Sequence, residues 1–197
     1  MPPRRSSAEP SRPSPSSRRW AQFELNLAQL FGAFEDGDIL ILARHDANIF
    51  VQFMRDGRHT FAEAAGNQYI DPPIFLLDQQ AFAAAKRLGW HAPSDSVHER
   101  EELDDVTCDD APYEGSPNFH RMWTRPSAKR LAALAVCTFQ QVYGVTTLDT
   151  LCYSSFKREG GEQVRWPTLG IAHYDTVRYR NLSIPDLDES EDGDDAF

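Results

Sequence analysis

Six large apolar side chains, Trp20, Phe23, Leu27, Leu30, Phe31 and Phe34, recur at spacings of three and four residues near the start of the chain. At 100° per residue they fall within a stripe about 100° wide. A helix with such a stripe needs a second layer to cover it. The spacing predicts a helix from Trp20 to about Glu35, stopped by Asp36-Gly37. Leu27 sits at the centre of the stripe and Asn26 on the opposite side.

The next residues supply that layer. Ile39-Leu40-Ile41-Leu42 is a continuous apolar run suited to burial on both faces. After a polar loop, Ile49-Phe50-Val51-Gln52-Phe53-Met54 leads to Asp56-Gly57, a strong signal for a two-residue type I′ hairpin turn. A third strand follows from Arg58 to about Ala65. A turn at Asp56-Gly57 pairs Arg55 with Arg58, Phe53 with Thr60, Val51 with Ala62 and Ile49 with Ala64. The Arg55–Arg58 pair is the weak point, because like charges directly opposite are unfavourable. The face of Phe53 sets large residues against small ones and leaves room for a helix. The other face carries Phe50, Gln52, Met54, His59, Phe61 and Glu63. That mixture suits a surface that is partly covered or used for binding, and these six residues are the candidate peptide-binding set.

Further on, Asp78 is placed to cap a helix from Gln79 to Leu88, with Gly89 at C′ and Trp90 as its apolar C″ residue. Ser127 caps a third helix running to about Tyr143, with Leu131, Leu134, Ala135, Phe139 and Val142 inward. Two C-terminal strands are expected, Thr146 to Phe156 and Gln163 to Tyr179, around Glu159-Gly160-Gly161. The fold class is therefore α+β: an antiparallel sheet, made of a three-stranded meander plus C-terminal strands, flanked by three helices.

The net charge of −10 is unevenly spread. Residues 1–19 carry +4, residues 95–114 carry −8 and residues 181–197 carry −7, which leaves the remainder at +1. Charged, apolar-poor segments cannot bury enough surface to offset chain entropy. The expected organisation is a disordered basic Pro/Ser/Arg tail over 1–18, one domain over 19–182 with an acidic loop at 95–114, and a disordered acidic tail over 183–197. No apolar run approaches the length of a membrane span, and no apolar segment follows Arg4 and Arg5 as a secretory signal requires. Cys108, Cys137 and Cys152 are odd in number and lack C-x-x-C spacing, which fits a reducing cytoplasm. Arginine outnumbers lysine 17 to 3, a bias usual in high-GC bacteria.

Chemistry-bearing patterns are sparse. No two ligands sit at a recognised metal spacing; His91 and His98 only flank the start of the acidic stretch, which lacks the glycine and glutamate spacing of an EF-hand. Cys137 falls on the polar side of its helix with no histidine near it in sequence. Cys108 lies among carboxylates that make it a poor nucleophile, and Cys152 follows strand periodicity into the core. Gly160-Gly161 lacks the Lys-Ser/Thr of a phosphate loop. Asp38 and Glu63 are the one acid–base pairing that can be imagined. The near-neutral folded part argues against nucleic-acid binding.

The order helix, meander, helix, helix meets particular residues: Trp20, Asn48-Ile49-Phe50-Val51-Gln52-Phe53, Phe61-Ala62-Glu63-Ala64-Ala65-Gly66-Asn67-Gln68-Tyr69, Leu88-Gly89-Trp90 and Ser116-Pro117-Asn118-Phe119. Over about residues 19–156 the chain resembles the YbjN/type III secretion chaperone-like superfamily, in the TY-Chap form common in actinobacteria. The resemblance implies a helix-flanked antiparallel sheet that binds client peptides, often as a homodimer, with no cofactor and no catalytic residue. The expectation is a cytoplasmic, non-enzymatic peptide- or protein-binding module that spans no membrane. The alternative is a regulatory interaction protein whose acidic segments compete for a basic partner or mimic nucleic acid.

Overall fold

A computed structural model describes residues 14–93 and 116–174. The acidic stretch 95–114, with His98 and Cys108, and the tail 183–197 lie outside them. The first helix, α1, spans Pro15–Gly32 and buries Trp20, Phe23, Leu27, Leu30 and Phe31, as the spacing requires. It begins four residues before the expected tail boundary at 18/19. Ser14 caps it by accepting the Ser17 N–H at 3.1 Å, and Pro15 takes the first turn, where a missing N–H costs nothing. This first turn is solvent-exposed and carries no apolar period, so periodicity alone placed the start too late.

Strands β1 (Asp38–Arg44), β2 (Ile49–Asp56) and β3 (His59–Ala64) form the expected meander. The hairpin register differs by two residues. Val51 faces Ala64, Phe53 faces Ala62 and Arg55 faces Thr60. The loop is Gly57-Arg58, and of the two only Gly57 has a positive φ, +53°, as a type II′ turn needs. Asp36 accepts the Gly57 N–H, and Arg55 faces a threonine in place of Arg58, so the like-charge pair never forms. A shift of two keeps every side chain on its expected face; a shift of one would have inverted them all.

Helix α2 (Gln79–Leu88) is capped by Asp78, which accepts the Ala81 N–H at 2.9 Å. It closes in a Schellman motif: Trp90 N–H donates to Ala85 C=O and Gly89 N–H to Lys86 C=O, with Gly89 at φ +87°. Helix α3 (Ala128–Cys137) starts at its Ser127 cap and runs on as one π-helical turn over Thr138–Val142. That turn buries Thr138, whose hydroxyl accepts the Trp90 indole N–H at 2.9 Å, and Tyr143 beyond it donates to the Ala65 carbonyl.

A strand absent from the expectation, β4 (Phe119–Thr124), pairs antiparallel with β3. Arg121 interrupts its apolar alternation between Phe119 and Trp123. In the fold that guanidinium donates to the Gly89 carbonyl and lies over the Trp123 ring. Strand β5 (Leu151–Lys157) is shorter than expected, because Leu148–Thr150 form a 3₁₀ turn. The expected strand from Gln163 to Tyr179 reduces, within the described residues, to a bridge at Gln163 and the two-residue β6 (Ala172–His173), with a 3₁₀ turn at Pro167–Leu169 between them. The sheet order is β4-β3-β2-β1-β5-β6, antiparallel except for β5–β6. Helix contacts with the sheet fall on the face of Phe53 and Phe119: Phe31 packs on Phe53 at 4.8 Å between ring centroids, and Phe82 on Phe119 at 5.1 Å.

Candidate functional site

The six residues Phe50, Gln52, Met54, His59, Phe61 and Glu63 do share the opposite face, as alternation demands. Their exposure divides them. Phe50, Gln52 and Met54 on β2 are buried within the chain, at 1, 7 and 6% exposure. His59, Phe61 and Glu63 on β3 are half-buried. Beside them on β4, facing the same way, stand His120, Met122 and Thr124. The accessible part of this face thus lies toward the β4 edge.

Glu63 stands directly across from His120. Burial pushes the Glu63 carboxyl above its ordinary value, opposed by a 3.4 Å hydrogen bond from Ser116. Burial likewise pushes the His120 imidazole down, against a contact with the Asn118 carbonyl and helped by His91, whose ring stacks on it at 5.5 Å.

The outer side of β4 is half closed. His91 and His120 exchange backbone hydrogen bonds of 3.0 and 3.2 Å, so the N–H and C=O groups of even-numbered β4 residues point away from β3. The Arg125 N–H, bonded inward to Arg58 at 2.8 Å, confirms the parity. Beyond His91, the outward groups of Met122 and Thr124 have no backbone partner among the described residues. Among the described residues this is an open strand edge.

On the helix side of that edge lies a groove of about 170 Å³ lined by Leu88, Trp123, Ala133, Leu134 and Cys137, with Arg121 and Arg130 at its sides. Apolar cavities of about 150 Å³ accept a benzene ring, so this volume suits one large side chain. Cys137, expected on a polar helix side, sits in its wall. Its thiol is pushed up by burial and by Glu24, away from nucleophilic character. The Trp123 indole N–H, buried beside it, has no acceptor among the described residues.

Other candidates do not assemble. Asp38 pairs with Lys157 at 2.8 Å on the helix face, whereas Glu63 lies on the other, so no acid–base pair forms. Cys152 is buried on β5, its thiol pushed up to about 11 by burial. No group of three or more histidines, cysteines or carboxylates able to hold a metal occurs among the described residues. Nor is any helix among them long and apolar enough to cross a membrane.

Two motifs behind the resemblance meet at the base of β4. The Gly66 N–H donates to the Asn118 side chain at 3.1 Å, and a Cβ at Gly66 would collide with the Pro117 carbonyl. A family model described as "T3SS (YopN, CesT) and YbjN peptide-binding chaperone 3", TY-Chap3, matches residues 14–157. The chain belongs to this family. The TY-Chap3 match runs from the Ser14 cap of α1 to Lys157, the last residue of β5, and so takes in the meander, β4 and all three helices. No curated protein and no solved structure matches the chain. The open edge and its groove were not visible in the sequence. The nearest signal was the alternation of Phe119 and Trp123 before the Arg125-Pro126 break, interrupted by Arg121.

Proposed function

We propose that this TY-Chap3 chain is a non-enzymatic, chaperone-like module, working in the cytoplasm, that captures an extended segment of client polypeptide by strand addition along β4. The observation that carries this reading is the open edge at Met122 and Thr124, with apolar surface on both sides of it. Side chains of an added strand alternate between faces. One set would lie over the groove of Leu88, Trp123 and Leu134. The other would lie beside Met122 and Phe61, with His59 and Glu63 as polar neighbours. The binding face expected from sequence therefore contributes through its β3 half, while Phe50, Gln52 and Met54, buried beside it on β2, do not meet the client. Main-chain hydrogen bonds give such a site affinity for many sequences, as a chaperone role needs. Neither a cofactor nor nucleic acid enters this reading, and a second copy of the chain is not required for it.

The test is Thr124→Pro, which deletes one outward N–H without touching the β3 ladder. Binding of a chemically unfolded, fluorescein-labelled polypeptide should weaken about tenfold, the value of roughly one hydrogen bond. Thr124→Val, which keeps the N–H, should bind as the parent does. Equal binding by all three, each folded by circular dichroism, removes the β4 edge as the site.

A further inference from the structure

We infer that the strand captured at this edge is acidic, with an apolar side chain in the groove and carboxylates two positions away on the same side. This rests on the strand-addition reading and names the class of segment it selects.

Residues 115–148 contain no aspartate or glutamate, yet carry Arg121, Arg125, Lys129 and Arg130. The fold gathers these cations around the open edge. Arg121 and Arg130 line the groove, Arg125 directly follows β4, and Lys129 precedes Arg130 on α3. Arg125, Lys129 and Arg130 are exposed and make no ion pair among the described residues. Arg87, exposed in the last turn of α2, precedes Leu88 of the groove wall. Among the described residues, Glu24 of α1 is a carboxylate felt at Cys137 in the groove wall. A cationic rim around an apolar slot attracts a segment of opposite charge and repels a basic one.

The geometry selects the spacing. In an added strand, residues two apart share a face. When an apolar side chain enters the groove, its neighbours at two positions on either side fall toward the rim. A second copy of this chain is a poorer occupant. Pairing two β4 edges would set Arg121 and Arg125 of one against those of the other.

The experiment uses the full chain and three labelled peptides of about nine residues, each with a central leucine. The residues two positions to either side are glutamate in one, glutamine in the second and lysine in the third. Fluorescence anisotropy at about 0.05 M salt should rank glutamate over glutamine over lysine, with about tenfold between the extremes. The gap should close at about 0.5 M salt, where exposed charges are screened. Arg125→Glu combined with Arg130→Glu should invert the order. Equal binding of the three peptides overturns the acidic preference and leaves strand capture standing. Binding of none overturns both. Displacement of the glutamate peptide by an equal concentration of single-stranded oligonucleotide overturns it in favour of a nucleic-acid surface.

Discussion

Glu63 is the residue whose setting departs furthest from what its strand position suggested. A glutamate on an alternating strand is ordinarily solvated, but here it faces His120 and is half-buried, with its carboxyl raised by burial. From its ordinary value of 4.5 up to the raised one, the folded chain holds a proton that the unfolded chain has lost. Stability therefore falls as pH rises through that window. Glu63→Gln removes the ionisation. Its thermal midpoint should exceed the parent's at neutral pH and converge with it below pH 4.5, which a pH series of thermal melts will read. Coincident curves at every pH would show that the carboxyl is solvated after all. Asp149 behaves in the opposite sense. Arg19 and Thr147 hold its carboxyl at about 2, so what it contributes is present above its ordinary 3.8 and lost as pH falls through the lower value.

Among the elements, α1 was the most legible, because its whole apolar stripe is local in sequence. Leu27, fully buried at the stripe's centre, should cost about 2–5 kcal/mol as Leu27→Ala. Asn26, read as lying opposite the core, turns out to donate to the Thr168 carbonyl and to accept from Gln22. Asn26→Ala should therefore cost about 1 kcal/mol, while Leu25→Ala, at an exposed position, should cost almost nothing. A denaturant titration that fails to rank these three in that order breaks the assigned helix packing. The π turn after α3 and the strand β4 were not legible, for a common reason. Each depends on partners far off in sequence: Trp90 for Thr138, Ala65 for Tyr143, and the Gly89 carbonyl for Arg121.

For the molecule as a whole, the informative boundary is the start of α1. A chain beginning at Ser14 keeps the cap and the Ser16 bond to the Thr146 carbonyl. A chain beginning at Arg19 loses both and places a charged amino group at the positive end of the helix. Loss of a cap alone costs about 1 kcal/mol. The Arg19 chain should melt roughly 5 °C below the Ser14 chain by calorimetry. Equal midpoints would mean that the first helical turn adds no stability. That turn matters beyond α1 itself, because the Thr146 carbonyl also accepts the Trp20 indole N–H just ahead of β5.

By itself the sequence determined the α+β class, the meander, the helix caps at Asp78 and Ser127, and which residues share each face of β2 and β3. These follow from the periods of the helix and the strand and from side chains that bond within three residues, so neighbouring positions carry all the information. Even the hairpin's wrong register left the faces right, since alternation has a period of two. Only the tertiary structure decided how much of each face is accessible and where the sheet ends. Burial of Phe50 and exposure of the β4 edge depend on which segments pack across long separations. The meeting of Arg121 and Arg130 at one groove, with Arg125 and Lys129 next to them along the chain, depends on β4 lying at the sheet edge with α3 beside it. No local period encodes that arrangement.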